Sequence, residues 1–275
     1  MLIVDAQVHI WGGGSPTNPA HRQVSSFSAD DLLKEMDEAG IDAAVIHPPS
    51  WDPGADALAI EAARQHPDRL SVLGKFPLDA PESRSLVDGW KQQPGMLGLR
   101  FSFLQPHQQT WPTDGTMDWL WPAAARAGVP IALSPAFSAA SFVPAVGQIA
   151  DRHPEVRLSV VHMGRPSGSK DEAAFATLPE LLALAKYPNV AVKATGAPSY
   201  SSASYPFENI HNYLHQIYDA FGPERMFWGT DITRMPCSWR QCVTLFTEEL
   251  PWLSASDKEL IMGRALCEWL DWKLP

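Results

Sequence analysis

The chain has 275 residues, 45 % of them hydrophobic, and a formal net charge of −10. That is enough apolar material for one large core, so a single domain over residues 1–275 is expected. The acidic balance, with no run of Lys or Arg, excludes a basic stripe for nucleic acid or an anionic membrane surface, and no apolar stretch reaches the ~18 residues of a membrane span.

The first element reads as a strand, Leu2 to Trp11, in which polar and apolar residues alternate. Alternation places Asp5, Gln7 and His9 on one face and Val4, Ala6, Val8 and Ile10 on the other. A polar row on a buried strand implies hydrogen bonds, a metal or a wet cavity, because an unpartnered buried polar group costs a few kcal/mol, on the order of 1–3. Gly12, Gly13 and Gly14 then turn the chain into a long loop, Ser15 to Phe27. Ser28 caps a helix with Asp31 three residues on, and Gly40 closes it.

From there strand and helix alternate. Strands are expected at Ala43–His47, Leu70–Phe76, Met96–Phe101, Pro130–Ser134, Arg157–His162, Val190–Thr195 and Arg225–Gly229. Helices are expected at Ala55–Gln65, Pro81–Gln93, Met117–Ala127, Ser141–Arg152, Leu178–Lys186 and Phe207–Phe221, with two more closing the chain. Eight short apolar strands separated by helices predict an α/β fold, a (β/α)₈ TIM barrel with an extra C-terminal helix. An open doubly wound sheet would need a Gly-rich turn leading into a helix after the first strand, and Gly12-Gly13-Gly14-Ser15-Pro16 leads into Pro instead. The odd set of cysteines, Cys237, Cys242 and Cys267, lacks metal-site spacing and points to reduced thiols in a cytoplasmic protein, with no leader read ahead of Val4.

In a barrel of this kind the reactive groups lie at the C-terminal strand ends. Those ends carry Gln7 and His9, His47, Lys75, Arg100, Ser134, His162, Lys193 with Thr195, and Asp231.

Asp5-Ala6-Gln7-Val8-His9-Ile10-Trp11, His162-Met163-Gly164, Val192-Lys193-Ala194-Thr195-Gly196 and Trp228-Gly229-Thr230-Asp231, in that order, resemble the amidohydrolase superfamily. The similarity is closest to its amidohydrolase-related (amidohydrolase 2) branch of lactonase-like TIM-barrel hydrolases. The resemblance implies a barrel hydrolase in which Asp231 activates water while strand-end histidines and basic residues polarise the scissile carbonyl. Members with full metal sites carry His-x-His on the first strand, whereas here the first position is Gln7. Ser134 stands where a metal-binding His is often found, and Arg100 where a carbamylated Lys would be. An amide is a poor zinc ligand, so two metals are not expected. The reading favours no cofactor, with one zinc on His9, His162 and Asp231 as the alternative.

The function this supports is opening of a carboxylated or sugar-derived lactone. Asp231 would act as general base and His9 and His162 as oxyanion donors, with Gln7, His47, Arg100, Lys193 and Trp11 binding substrate. Lys193 has a second reading, as a buried partner of Asp5. The expected partner is an anionic, cyclic small molecule, with a homo-oligomer compatible with the sequence. The alternatives are a metal-dependent, non-oxidative decarboxylase of an aromatic acid, or a catalytically silent ligand-binding barrel.

Overall fold

A computed structural model describes residues 1–134, 139–165 and 168–274. Its strands are β1 (Val4–Val8), β2 (Ala43–Ile46), β3 (Leu70–Gly74), β4 (Met96–Ser102), β5 (Ile131–Ser134), β6 (Leu158–Val160), β7 (Val190–Thr195) and β8 (Met226–Gly229). They lie in sequence order, each parallel to the next, and form a nearly closed barrel. Backbone N–H groups just past β8 bridge the seam between first and last strands. The Asp231 N–H donates to the Gln7 carbonyl (2.8 Å) and the Thr230 N–H to Asp5 Oδ1 (2.9 Å).

The helices are α1 (Ala29–Ala39), α2 (Ala55–Gln65), α3 (Leu120–Ala127), α4 (Ala139–Arg152), α5 (Asp171–Ala174), α6 (Leu178–Leu182), α7 (His211–Phe221), α8 (Trp239–Thr247), α9 (Ala255–Glu259) and α10 (Ala265–Leu270). Helix α1 forms as its sequence requires: Ser28 and Asp31 make a reciprocal capping box, and Gly40 ends it in the left-handed conformation. Pro122 falls in the first turn of α3, where its missing N–H leaves no bond unmade.

Between β3 and β4 the expected helix Pro81–Gln93 is replaced by two 3₁₀ turns, Pro81–Ser85 and Trp90–Gln92. Pro81 and Pro94 bracket the segment and Gly89 interrupts it, leaving too short a stretch to nucleate an α-helix.

Two apolar clusters divide the core. Val4, Ala6, Ala43, Val45, Leu73, Ala132, Ala191 and Phe227 fill the barrel, and Leu266 and Leu270 of α10 join them. Val8, Ile46, Val72, Leu133, Val160, Val192 and Trp228 belong to the outer layer beneath the helices.

The expected two faces of β1 do not persist along its length, because Val4 and Ala6 lie with the inner cluster and Val8 and Ile10 with the outer. A break in register between Asp5 and Val8, where three steps on β1 match two on β2, resets the alternation. Asp5 is therefore separated from Gln7 and His9. Its carboxylate accepts from the Gln7 N–H (2.9 Å), from the Thr230 N–H and hydroxyl, and from Trp239 Nε1 of α8 (3.0 Å).

Burial nevertheless pushes Asp5 up to about 6 against the pull of these donors. Replacing Asp5 with Ala strands its donors at the barrel seam and should lower stability by roughly 3 kcal/mol in urea denaturation. An unchanged midpoint would remove Asp5 from any role in closing the barrel.

Candidate active site

Asp231 is the hub of the C-terminal face. It follows β8 in the left-handed region (φ 61°), and His162 and Met163, after β6, both have φ 54°. Such backbone costs on the order of 1–3 kcal/mol per non-Gly residue and is kept where the surroundings enforce it. For His162 it ends the expected strand Arg157–His162 early, at Val160.

The Asp231 carboxylate is buried, and its two oxygens meet different neighbours. Arg234 donates through Nε to Oδ2 at 2.7 Å. Around Oδ1 lie His9 Nε2 at 3.3 Å and His21 Nδ1 at 3.9 Å, yet no group hydrogen-bonds this oxygen. Burial alone would raise the acid's pKa, but His9, Arg234, His21 and His162 together hold it well below the ordinary carboxylate range.

The histidines are neutral at pH 7, because burial outweighs Asp231 in lowering His9 to about 4 and His162 well below its usual value. The His9 tautomer follows from a partner that can act only one way. His9 Nδ1 donates to the His47 carbonyl, so its Nε2 presents a lone pair to Asp231. His162 Nδ1 has neighbours of both kinds: Arg234 Nη2, which only donates, at 3.0 Å, and the Thr195 carbonyl, which only accepts, at 3.3 Å. Its Nε2 faces the Gln7 amide at 3.1 Å. One end of that amide meets His162, and the other has no protein partner among the described residues.

Beside this cluster, over the ends of β3 and β4, opens a cavity of about 880 Å³ lined by Lys75, Phe76, Arg100, Phe103, His107 and Trp111 among others. Lys75 is already engaged, donating to the Pro48 (2.7 Å) and Pro49 (3.2 Å) carbonyls. Arg100 has no ion pair or hydrogen bond among the described residues, and its Nε is buried without a partner. Burial pushes Arg100 down to about 10, which leaves it charged at neutral pH.

Of the residues expected to bind substrate only Arg100 lines this cavity; Gln7, Trp11, His47 and Lys193 are fully buried, and Gln7 lies with Asp231, His9 and His162 beside the lining. Trp11 is fully buried, donates to the Val24 carbonyl (3.1 Å) and packs on Phe27 and Trp51, so it anchors the loop after β1. His47 and Lys193 are also fully buried and do not line the cavity. Lys193 Nζ donates to the Ala6 carbonyl (3.0 Å) and meets His47 Nε2 at 3.2 Å, and it makes no ion pair with Asp5.

Two site residues escaped the sequence reading. Arg234 is three residues beyond Asp231, and the 3₁₀ turn Ile232–Arg234 returns it to the carboxylate, so the Asp-x-x-Arg spacing was a usable signal. His21 comes from the loop between β1 and α1, where no periodicity marks it.

A metal is implied by the superfamily resemblance, and the donors can be tested for fit. His9, His21 and Asp231 offer ligand atoms all within 4.8 Å of one another, and Asp231 Oδ1 is an orphaned, buried anionic oxygen. This set fits one divalent ion. The expected set of His9, His162 and Asp231 is regrouped, since His162 Nε2 sits 3.6 Å from the other oxygen, Oδ2, and bonds Gln7.

Lys193 gives a test of these electrostatics. Burial, reinforced by Arg100 and opposed by Asp5, pushes it down to about 7. Between there and its unfolded value the folded state binds fewer protons than the unfolded one, so this residue's contribution to stability rises with pH and is lost as pH falls towards 7. Lys193→Met should equal or exceed wild type in stability at about pH 7, with the difference moving in favour of wild type by about pH 9.5. Parallel stability curves for the two proteins would contradict this.

The sequence matches the amidohydrolase family over residues 4–264. It is 22 % identical over 238 residues to L-fucono-1,5-lactonase of Burkholderia ambifaria, covering 83 % of this chain and 79 % of that protein. The fold is shared with an amidohydrolase from Burkholderia multivorans with bound zinc (TM-score 0.84, 19 % identity, 99 % of this chain and 100 % of that one). It is shared also with a probable 2-pyrone-4,6-dicarboxylic acid hydrolase from Acinetobacter baumannii with citric acid bound (0.75, 16 %, 98 % and 100 %). A third structure with this fold is 5-carboxyvanillate decarboxylase from Sphingomonas paucimobilis (0.74, 15 %, 99 % and 99 %). With the family matched from the first strand through α9, this chain is a member of the amidohydrolase family.

Proposed function

We propose that this protein hydrolyses a lactone bearing a carboxylate or a sugar-like array of oxygens. The observation that carries this reading is Asp231 Oδ1, a buried, ionised carboxylate oxygen without a hydrogen-bond donor and therefore able to take a proton from water. The likeness to a sugar lactonase and to a pyrone dicarboxylate hydrolase supports it.

In this scheme water adds to the lactone carbonyl carbon as Asp231 accepts its proton. The carbonyl oxygen becomes an oxyanion, for which the His162 imidazole and the Gln7 amide are the neutral donors. Collapse breaks the ring C–O bond, and the proton held by Asp231 passes to the departing oxygen, giving a hydroxy acid. His9 has its one proton on Nδ1, committed to the His47 carbonyl, so it is not available as the oxyanion donor the sequence suggested. An ion held by His9, His21 and Asp231 would supply Lewis acidity that makes a bound water more acidic. Arg100, unpaired in the cavity, receives a substrate carboxylate in bidentate fashion.

The decarboxylase reading is supported by fold likeness as much as the lactonase one is, and the open oxygen of Asp231 favours the hydrolase, which needs a water base.

The test is a panel of sugar lactones, pyrone carboxylates and aromatic acids, followed by proton release for ring opening and by CO₂ release. Wild type should open a lactone. Asp231→Asn should lose at least about a hundredfold in kcat while remaining folded. CO₂ release from an aromatic acid, with no lactone opened, would reverse the assignment.

Arg100→Met should raise KM for a carboxylated substrate by roughly 10–100-fold and change kcat little, as expected for loss of a charged hydrogen bond of about 1.5–3 kcal/mol made equally in ground and transition states. A KM unchanged for every carboxylated substrate of the wild type would take that role from Arg100.

A further inference from the structure

We infer that His21, carried by the loop after β1, is the third protein ligand of a single divalent transition-metal site with His9 and Asp231, taking the place that Gln7 leaves vacant on the first strand. The inference is independent of which substrate the protein uses.

Three observations converge on the same oxygen. Asp231 Oδ1 is buried, anionic and without a hydrogen bond. His9 turns Nε2 towards it at 3.3 Å, and its other nitrogen is tied to the His47 carbonyl, the outer partner that orients a ligating imidazole. His21 brings Nδ1 to 3.9 Å from it; the same nitrogen meets Thr233 Oγ1 at 2.8 Å, a contact that an ion would displace, and the ring is held edge-on to His9 and tilted against Trp51. Around a tetrahedral zinc with bonds of ~2.0–2.1 Å, neighbouring ligand atoms lie about 3.3 Å apart, so His9 and Asp231 are already at ligand spacing and His21 is slightly beyond it.

Two nitrogens and one carboxylate oxygen suit zinc or cobalt and leave one position open. The second oxygen of Asp231 is held by Arg234 at 2.7 Å, which limits the site to one ion. The fixed guanidinium charge also makes binding weaker than at a comparable site lacking it.

The experiment is titration of chelator-stripped protein with Co²⁺ and Zn²⁺ without substrate, reading stoichiometry by elemental analysis, affinity by competition with a chromophoric chelator, and coordination by the visible Co²⁺ spectrum. Wild type should bind one equivalent with the intense absorption of a four-coordinate ion. His21→Ala should bind at least tenfold more weakly and lose that absorption. His21→Asp, which restores an oxygen ligand, should recover part of the affinity, and His215→Gln, at a surface histidine of α7, should match wild type. Circular dichroism confirms that each variant is folded.

Absence of stoichiometric binding, two equivalents per chain, or a folded His21→Ala that binds like wild type would each overturn the assignment. Because no substrate is present, failure of the lactone panel leaves this result untouched.

Discussion

The C-terminal face depends on how one buried carboxylate is divided. Arg234 holds Oδ2 of Asp231, while Oδ1 is turned to two neutral imidazoles that give it no proton. A buried carboxylate with no cation would neutralise itself by taking up a proton. Arg234 prevents that with a charge that pH does not remove, and the same guanidinium reaches His162 Nδ1 at 3.0 Å. One side chain thus sets the charge of the proposed base and holds a proposed donor beside it. The arrangement has a chemical drawback, because a carboxylate held so acidic is a weak base. The unbonded oxygen is where that weakness is least, since Arg234 touches only its partner.

The fold makes room for this guanidinium by omitting a side chain. Gly196, just past β7, has φ +76°, and a Cβ built there would lie 2.5 Å from Arg234 Nη2. Strain is accepted at the same level of the barrel, where His162 and Asp231 adopt left-handed backbone. These residues do not continue their strands. They turn at the strand ends, and the turn aims the imidazole of one and the carboxylate of the other at a common point.

The sequence displayed the barrel clearly because its strands are short, apolar and regularly spaced, and α2 and β7 match their expected ranges, Ala55–Gln65 and Val190–Thr195. Local pattern failed where tertiary structure decides. The register break on β1 separated Asp5 from Gln7 and His9, which strict alternation had joined. Lys193 and His47 are near strand ends, as read, but fully buried and outside the cavity lining, and depth of burial within a barrel leaves no mark on a polar residue's neighbours in sequence. His21 was illegible for a different reason: a loop has no period, and only the folded path of residues 15–27 brings that ring to Asp231.

The charges around the cavity bear on what it receives. The chain as a whole is acidic, at −10, which would repel an anion at long range. At physiological ionic strength such repulsion is screened beyond about 8 Å, so the local balance decides. Locally, Arg234 is matched by Asp231, and Lys193, depressed to about 7 and bonded to a carbonyl and an imidazole, is no strong source of positive charge. Arg100 is the cation left over, half-buried, charged and without a carboxylate among the described residues. A guanidinium in that position pays for its desolvation only when an anion arrives. In the proposed reaction that asymmetry would favour a carboxylated substrate over a neutral one, with Arg100 holding the anion in the cavity and the oxygen of Asp231, beside the lining, left to the reacting water.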